Sequence, residues 1–185
     1  MKIISNKLLG IIIIKPRVFA DTRGCFFESF QLEHYREFGI DKPFIQDNIS
    51  HSKYGVLRGL HYQLKHPQGK LITVIRGEIF DVVVDIRKES PTFGKWSAFI
   101  LNDKSYWQLY IPPGFAHGFC VLSEFADFCY KCTDYYHPGD EFGVIWNDPN
   151  IAIDWPKSDI DMILSEKDKD YKVLSEIPAE LLPSM

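Results

Sequence analysis

Apolar and β-branched residues in this chain fall into short runs fenced by Gly, Pro, Asn or Asp. They predict strands over residues 10–15, 25–29, 70–76, 78–87, 96–101, 108–111, 118–121 and 128–135. Gly77 stands between two of these runs, where a tight hairpin turn is expected. Ile79, Val82, Val84 and Ile86 against Asp81, Asp85 and Arg87 alternate imperfectly, as in a strand buried largely on both faces. Helical spacing occurs in two places. Leu32, Tyr35 and Phe38 form one stripe over residues 31–38 and stop at Gly39. A second helix is expected to start at the capping sequence Ser165-Glu166-Lys167-Asp168, take in Leu174 and stop at Pro178. Many short strands with few helices predict an all-β single domain over 1–185, an antiparallel sandwich or jelly roll with one short helix near the C-terminus.

Composition narrows the function. The net charge of −4 argues against a general nucleic-acid or anionic-membrane surface. No apolar run approaches the roughly 20 residues of a membrane helix; residues 11–14 are halted by Lys15-Pro16. Met1-Lys2-Ile3 lacks the apolar core of a secretory leader, so a cytoplasmic protein is expected. No glycine-rich phosphate loop joins a strand to a helix. Cys129 and Cys132 match a C-x-x-C pattern, yet on a strand residues three apart face opposite ways. They are read as reduced structural cysteines, as are Cys25 and Cys120.

Two histidine motifs carry the candidate chemistry. They are Gly55-Val56-Leu57-Arg58-Gly59-Leu60-His61-Tyr62-Gln63 and Pro112-Pro113-Gly114-Phe115-Ala116-His117. Together they resemble the paired signature motifs of the cupin superfamily, implying a jelly-roll barrel with both histidines at its mouth. Where a metal-binding cupin has a second histidine, this chain has Gln63. Residues 64–69 then offer only His66 in a Pro/Gly-rich turn and no carboxylate, so no cupin metal is expected. That leaves His61 as a candidate base, since imidazole titrates near neutral pH.

Six segments, the two histidine motifs among them, fall in register with one family. They are Arg58-Gly59-Leu60-His61-Tyr62-Gln63, Ser90-Pro91-Thr92-Phe93-Gly94, the run from Ile111 through His117 to Phe119, the run from Tyr130 to Tyr136, Trp146-Asn147-Asp148-Pro149, and Leu164-Ser165-Glu166-Lys167-Asp168. Over about residues 10–168 the chain resembles the dTDP-4-dehydrorhamnose 3,5-epimerases, metal-independent cupins acting on dTDP-4-dehydro-6-deoxyglucose. The resemblance implies His61 as base, Tyr130 as proton donor on the other face and Lys70 as partner of the charge on O4. Asp168 would orient His61; as the fourth residue of Ser165-x-x-Asp168 it reads equally as a helix cap. Substrate binding falls by the same resemblance to Arg23, Glu28, Gln46, Asn48, Arg58, Lys70, His117, Glu141 and Lys167, with Tyr136 stacking on thymine. Asp47 should face away from Gln46 and Asn48 if that segment is extended. The family implies no cofactor, because the C4 ketone is itself the electron sink. It also implies a homodimer whose N-terminal β-rich part joins the interface, and a place in dTDP-L-rhamnose biosynthesis.

Three other readings compete. A single-site epimerase, acting at C3 or C5 alone, would share base and donor. A metal-dependent cupin is disfavoured by Gln63, and a non-catalytic sugar-nucleotide binder would not need Tyr130 and Lys70 beside a base. The four tryptophans are given no catalytic role; Trp146 is read as a core anchor before a turn, and residues 166–172 as a solvated helix face.

Overall fold

Strand alternation determines what enters the interior of this protein, and a computed structural model shows where each strand lies. It describes residues 2–5, 8, 10–157 and 159–185; Met1, part of the stretch read for a leader, lies outside them. One sheet has six strands, in the order β1 (Lys2–Ser5), β2 (Ile12–Lys15), β10 (Gln108–Ile111), β7 (Lys70–Arg76), β12 (Phe125–Cys132) and β5 (Gln46–Lys53). The second has five, in the order β13 (Glu141–Gly143), β6 (Leu57–Gln63), β11 (Phe115–Val121), β8 (Glu78–Asp85) and β9 (Trp96–Asn102). β3 (Val18–Asp21) and β4 (Gly24–Phe27) form a separate hairpin. All these pairings are antiparallel, as a cupin-like sandwich requires.

Three apolar clusters hold the layers. Between the sheets lie Ile72, Val74, Ile79, Val83, Leu109, Ile111, Phe115, Phe119, Val121 and Phe128. The outer face of the five-stranded sheet buries Leu60, Tyr62, Val82, Val84 and Ile86 under Ile151, Leu174 and Leu182 from the C-terminal segment. Outside the six-stranded sheet, α1 (Leu32–Arg36) lays Tyr35 against Ile14, Ile40, Leu71 and Tyr110. Each Ile or Leu fully withdrawn from water contributes about 1.5–3 kcal/mol relative to exposure. β8 gives side chains to two of these clusters, which explains its nearly continuous apolar run.

Several expectations need correction. Gly77 does not turn a hairpin, because β7 and β8 belong to different sheets. It makes the crossing between them at φ +82°, where a Cβ would sit 2.0 Å from the Phe125 carbonyl oxygen. β5 and β6 were absent from the predicted strands. β5 alternates half-buried polar residues with exposed ones, and β6 is interrupted by Arg58, Gly59 and His61, so neither shows a hydrophobic period. The strand expected at 118–121 starts at Phe115, and the one expected at 128–135 runs from Phe125 to Cys132. The first helix is shorter than predicted, its N-cap Gln31 accepting the His34 N–H at 2.7 Å. The second is one turn, α2 (Glu166–Lys169), with a separate 3-10 turn at Leu174–Glu176. In the Trp146 turn the buried anchor is Asp148, which accepts the N–H groups of Asn150 at 2.8 Å and Leu174 at 2.7 Å. The Ser90–Gly94 motif is likewise structural: Ser90 and Thr92 hydroxyls donate at 2.6 Å to buried Asp85, which also pairs with Arg87.

Candidate active site

Period-two geometry sends Gln46 and Asn48 of β5, His61 of β6, Lys70 of β7, Asp81 of β8, His117 of β11 and Tyr130 of β12 toward the space between the sheets. There they meet a cavity of about 550 Å³ lined by Arg58, His61, Lys70, His117, Tyr130, Tyr136, Glu141 and Lys167. Gln46, Asn48 and Gln68 line its continuation beside His61, Lys70 and Tyr130. His61 and Tyr130 enter from opposing sheets, so a planar ring between them would be approached on both faces. Asp47 points the other way, its carboxylate accepting from Lys131 at 2.8 Å.

His61 sits between two carboxylates. Its Nε2 is 2.5 Å from Oδ1 of Asp168, and its Nδ1 is 3.6 Å from Oε1 of Glu141. Asp168 is 2% exposed. Burial pushes its carboxyl up, but bonds from His61, Ser165 and the Gly59 N–H overcome that and hold it below the usual range. An anionic Asp168 accepts Nε2–H, leaving the Nδ1 lone pair toward the cavity. The cap and the orienting contact coexist: Ser165 Oγ accepts the Asp168 N–H at 3.2 Å while the Asp168 carboxylate faces His61.

Glu141 joins the polar wall. It accepts from Lys167 Nζ at 2.7 Å and Tyr136 Oη at 3.0 Å. Burial works against its charge, yet Lys167, His61 and Tyr136 keep its carboxyl below normal. Across the cavity, burial pushes the Lys70 ammonium down, with Cys132, Glu141 and Asp81 opposing. Burial pushes the Tyr130 phenol up, aided by Cys132 and Glu141 and resisted by Arg58. Tyr130 therefore stays protonated at neutral pH and has a proton to give.

Two residues that back the pocket histidines were invisible in the local sequence. Asp81, fully buried, meets Nε2 of His117 at 2.9 Å, and its Oδ1 has no hydrogen-bond partner among the described residues. Tyr171 packs edge-on against the His61 ring at 5.8 Å, in space that exists because residue 143 is glycine: a Cβ there would lie 2.3 Å from the Tyr171 ring. Both residues look ordinary in sequence; Asp81 is one of three polar breaks in an apolar strand, and Tyr171 stands in a charged segment.

Arg23 and Glu28 are not brought to the cavity. Arg23 pairs at 2.6 Å with Asp21 at the tip of the exposed β3–β4 hairpin, and Glu28 meets His34 Nδ1 at 2.9 Å.

Residues 5–176 match the model of the dTDP-4-dehydrorhamnose 3,5-epimerase family. The chain belongs to that family. A dTDP-4-dehydrorhamnose 3,5-epimerase of Methanothermobacter thermautotrophicus is 50% identical over 97% of this chain and 98% of its own. The crystal structure of a 3,5-epimerase of Legionella pneumophila in complex with dTDP-4-keto-L-rhamnose superposes with a TM-score of 0.97 at 54% identity, covering 100% of this chain and 98% of that one. A dTDP-4-dehydrorhamnose 3-epimerase of Streptomyces niveus is 41% identical over 95% of this chain and 85% of its own. Family membership accounts for the fold and for an isomerase pocket. It covers enzymes named for one epimerised carbon as well as for two.

Proposed function

We propose that this chain is a dTDP-4-dehydrorhamnose 3,5-epimerase serving dTDP-L-rhamnose synthesis, converting dTDP-4-dehydro-6-deoxyglucose to dTDP-4-dehydro-L-rhamnose without a cofactor. The observation carrying this reading is the His61–Asp168 pair facing one cavity opposite Tyr130, with Lys70 on the strand beside that of Tyr130. The C4 ketone acidifies the hydrogens on C3 and C5. His61 Nδ1 takes one such proton, the electron pair moves into an enolate, and Lys70 donates to the charge on O4. Tyr130 then gives its phenolic proton to the carbon from the other face, and solvent restores both groups. Inversion follows from the two sides on which the proton leaves and returns.

Gln46, Asn48, Arg58, His117, Tyr136, Glu141 and Lys167 are assigned to substrate binding in this reading. Arg58 suits a diphosphate oxygen, and Tyr136, nearly half exposed on the rim, offers a face for the thymine base. Arg23 and Glu28 fit the same assignment only in a homodimer, where a second copy's hairpin reaches the cavity. Exposed Phe26, Phe19 and Val18 on that hairpin, with exposed Ile49 on edge strand β5, support such an interface. Light scattering on the eluting protein tests it: a monomer with full turnover removes the assignment of Arg23 and Glu28. A cytoplasmic location belongs to the same reading and is checked by cell fractionation.

The activity test is incubation with dTDP-4-dehydro-6-deoxyglucose in deuterium oxide, followed by NMR. Deuterium at both C3 and C5 with the L-rhamno product supports the assignment. Label at one carbon alone makes the chain a single-site epimerase, and tight binding without label makes it a binding module.

A further inference from the structure

Gln63, the residue standing where a metal-binding cupin has its second histidine, is 7% exposed and ties two loops together. Its amide nitrogen donates to the carbonyl oxygens of His66 at 2.7 Å and Tyr135 at 3.1 Å, and its oxygen accepts the His137 N–H at 2.8 Å. Asp140, also buried, accepts the N–H groups of Lys65 at 3.0 Å and His66 at 2.8 Å, and its own N–H returns to the His137 carbonyl at 3.0 Å. Gly69 and Thr133 exchange two further bonds, of 2.7 and 2.9 Å. Loops 64–69 and 133–140 thus form one cross-bonded frame before any ligand arrives.

That frame presents His66, Asp134 and His137 side by side. One ligand atom from each lies within 4.8 Å of the others, and the imidazoles stack with centroids 3.7 Å apart and planes inclined by 19°. The Asp134 Oδ1 accepts the Tyr135 N–H at 2.8 Å, which fixes the carboxylate. Two imidazoles and one carboxylate, from loops tied by buried side chains, form a borderline-soft set of three donors, the number a zinc site completes with water.

We propose that His66, Asp134 and His137 form a site for a divalent transition-metal ion of the Zn²⁺ class, outside the epimerase pocket and clamping its rim. Zn–N bonds of about 2.0–2.1 Å in a tetrahedron place ligand atoms roughly 3.4 Å apart, so the ligand atoms are near bridging distance, and the stacked imidazoles turn out of their parallel arrangement to aim both lone pairs at one ion. Hard ions such as Mg²⁺ prefer all-oxygen shells and do not suit it. The clamp acts on the pocket through Tyr136, which lies between Asp134 and His137 and lines the cavity, and through Gln68, whose amide donates to the Asp134 carbonyl at 2.9 Å. The site stands whether or not the proposed epimerase activity does.

Thermal unfolding of chelator-treated full-length protein titrated with ZnCl₂ tests this, with Co²⁺ absorption as an independent readout of imidazole ligation. In the wild type Tm rises by roughly 5–10 °C at a Zn²⁺ concentration a hundred times Kd. Asp134→Asn weakens binding at least about tenfold, and the double variant His66→Gln/His137→Gln abolishes the rise and the Co²⁺ bands, while MgCl₂ gives no rise. His61→Gln keeps the full Zn²⁺ response. The proposal is overturned by a wild type that does not respond, by a double variant that responds like the wild type, or by a response lost in His61→Gln, which would put the ion in the pocket.

Discussion

His61 and His117 are cross-strand partners on β6 and β11, and each faces a buried aspartate, yet the two pairs are electrostatic opposites. Asp168 opposes its burial with bonds from His61, Ser165 and the Gly59 N–H, and its carboxyl lies below the usual range. Asp81 has burial as its dominant influence, opposed by His117 and Lys70, and its carboxyl is pushed up with one oxygen unpartnered among the described residues. A stable anion behind an imidazole supports the charge that imidazole gains on taking a proton. A carboxyl already biased toward its neutral form supports it less. In the proposed reading the same residue types on neighbouring strands serve different tasks: proton transfer at His61, and substrate contact at His117.

The largest expected difference is between the two histidines. His61→Ala should lower deuterium wash-in by about 10²–10⁴-fold, whereas His117→Ala should act mainly on KM. Equal loss of wash-in in both variants would break the comparison. Lys70→Met should cost about 10²–10³-fold in turnover, the scale of a lost oxyanion partner. The same substitution should raise Tm, because burial disfavours the charged ammonium; a variant both slower and less stable would argue for a structural lysine.

Asp168→Asn should reduce turnover by about a hundredfold or more, since an amide can hold His61 in the wrong tautomer. Stability against pH sharpens the contrast with Asp81. The depressed Asp168 carboxyl stabilises the fold above its unfolded value of 3.8 and loses that contribution as pH falls through its lower folded value. Asp81 has the reverse sign: its raised carboxyl costs stability at neutral pH, and the cost is relieved as pH falls through the folded value. Asp81→Asn should have the smallest effect, within about tenfold in turnover, and should remove that acid-side gain. Urea titrations from pH 3 to pH 8 distinguish the two, and parallel curves for both variants would show that the pairs are alike.

Much of the pocket was legible because its chemistry rides on motifs. His61 and His117 lie in cupin-like segments, and Lys70, Tyr130, Glu141 and Lys167 follow by family register; all six line one cavity. Asp81 was not legible, because an aspartate in an apolar strand has no local sign of the histidine it will meet. Tyr171 was hidden for the same reason, its place depending on Gly143 across the fold. Arg23 and Glu28 were legible by resemblance alone, and within one chain Arg23 stays on the hairpin and Glu28 beside α1. Near Gln63 the sequence offers only His66 as a metal ligand, because Asp134 and His137 lie about seventy residues further along.

By itself the sequence determined the strand-rich class, the burial of β8 on both faces, the opposite directions of Cys129 and Cys132 on one strand, and the family. These depend on period-two alternation and on residue order, which are local properties of the chain. Only the tertiary structure decided that β7 and β8 part at Gly77 into different sheets, and that His61 and Tyr130 face the cavity from opposite sides. It also decided which buried aspartate has its carboxyl held below the usual range and which has it pushed up. Those outcomes depend on burial and on partners distant in sequence, and both arise only when the sheets close over one another.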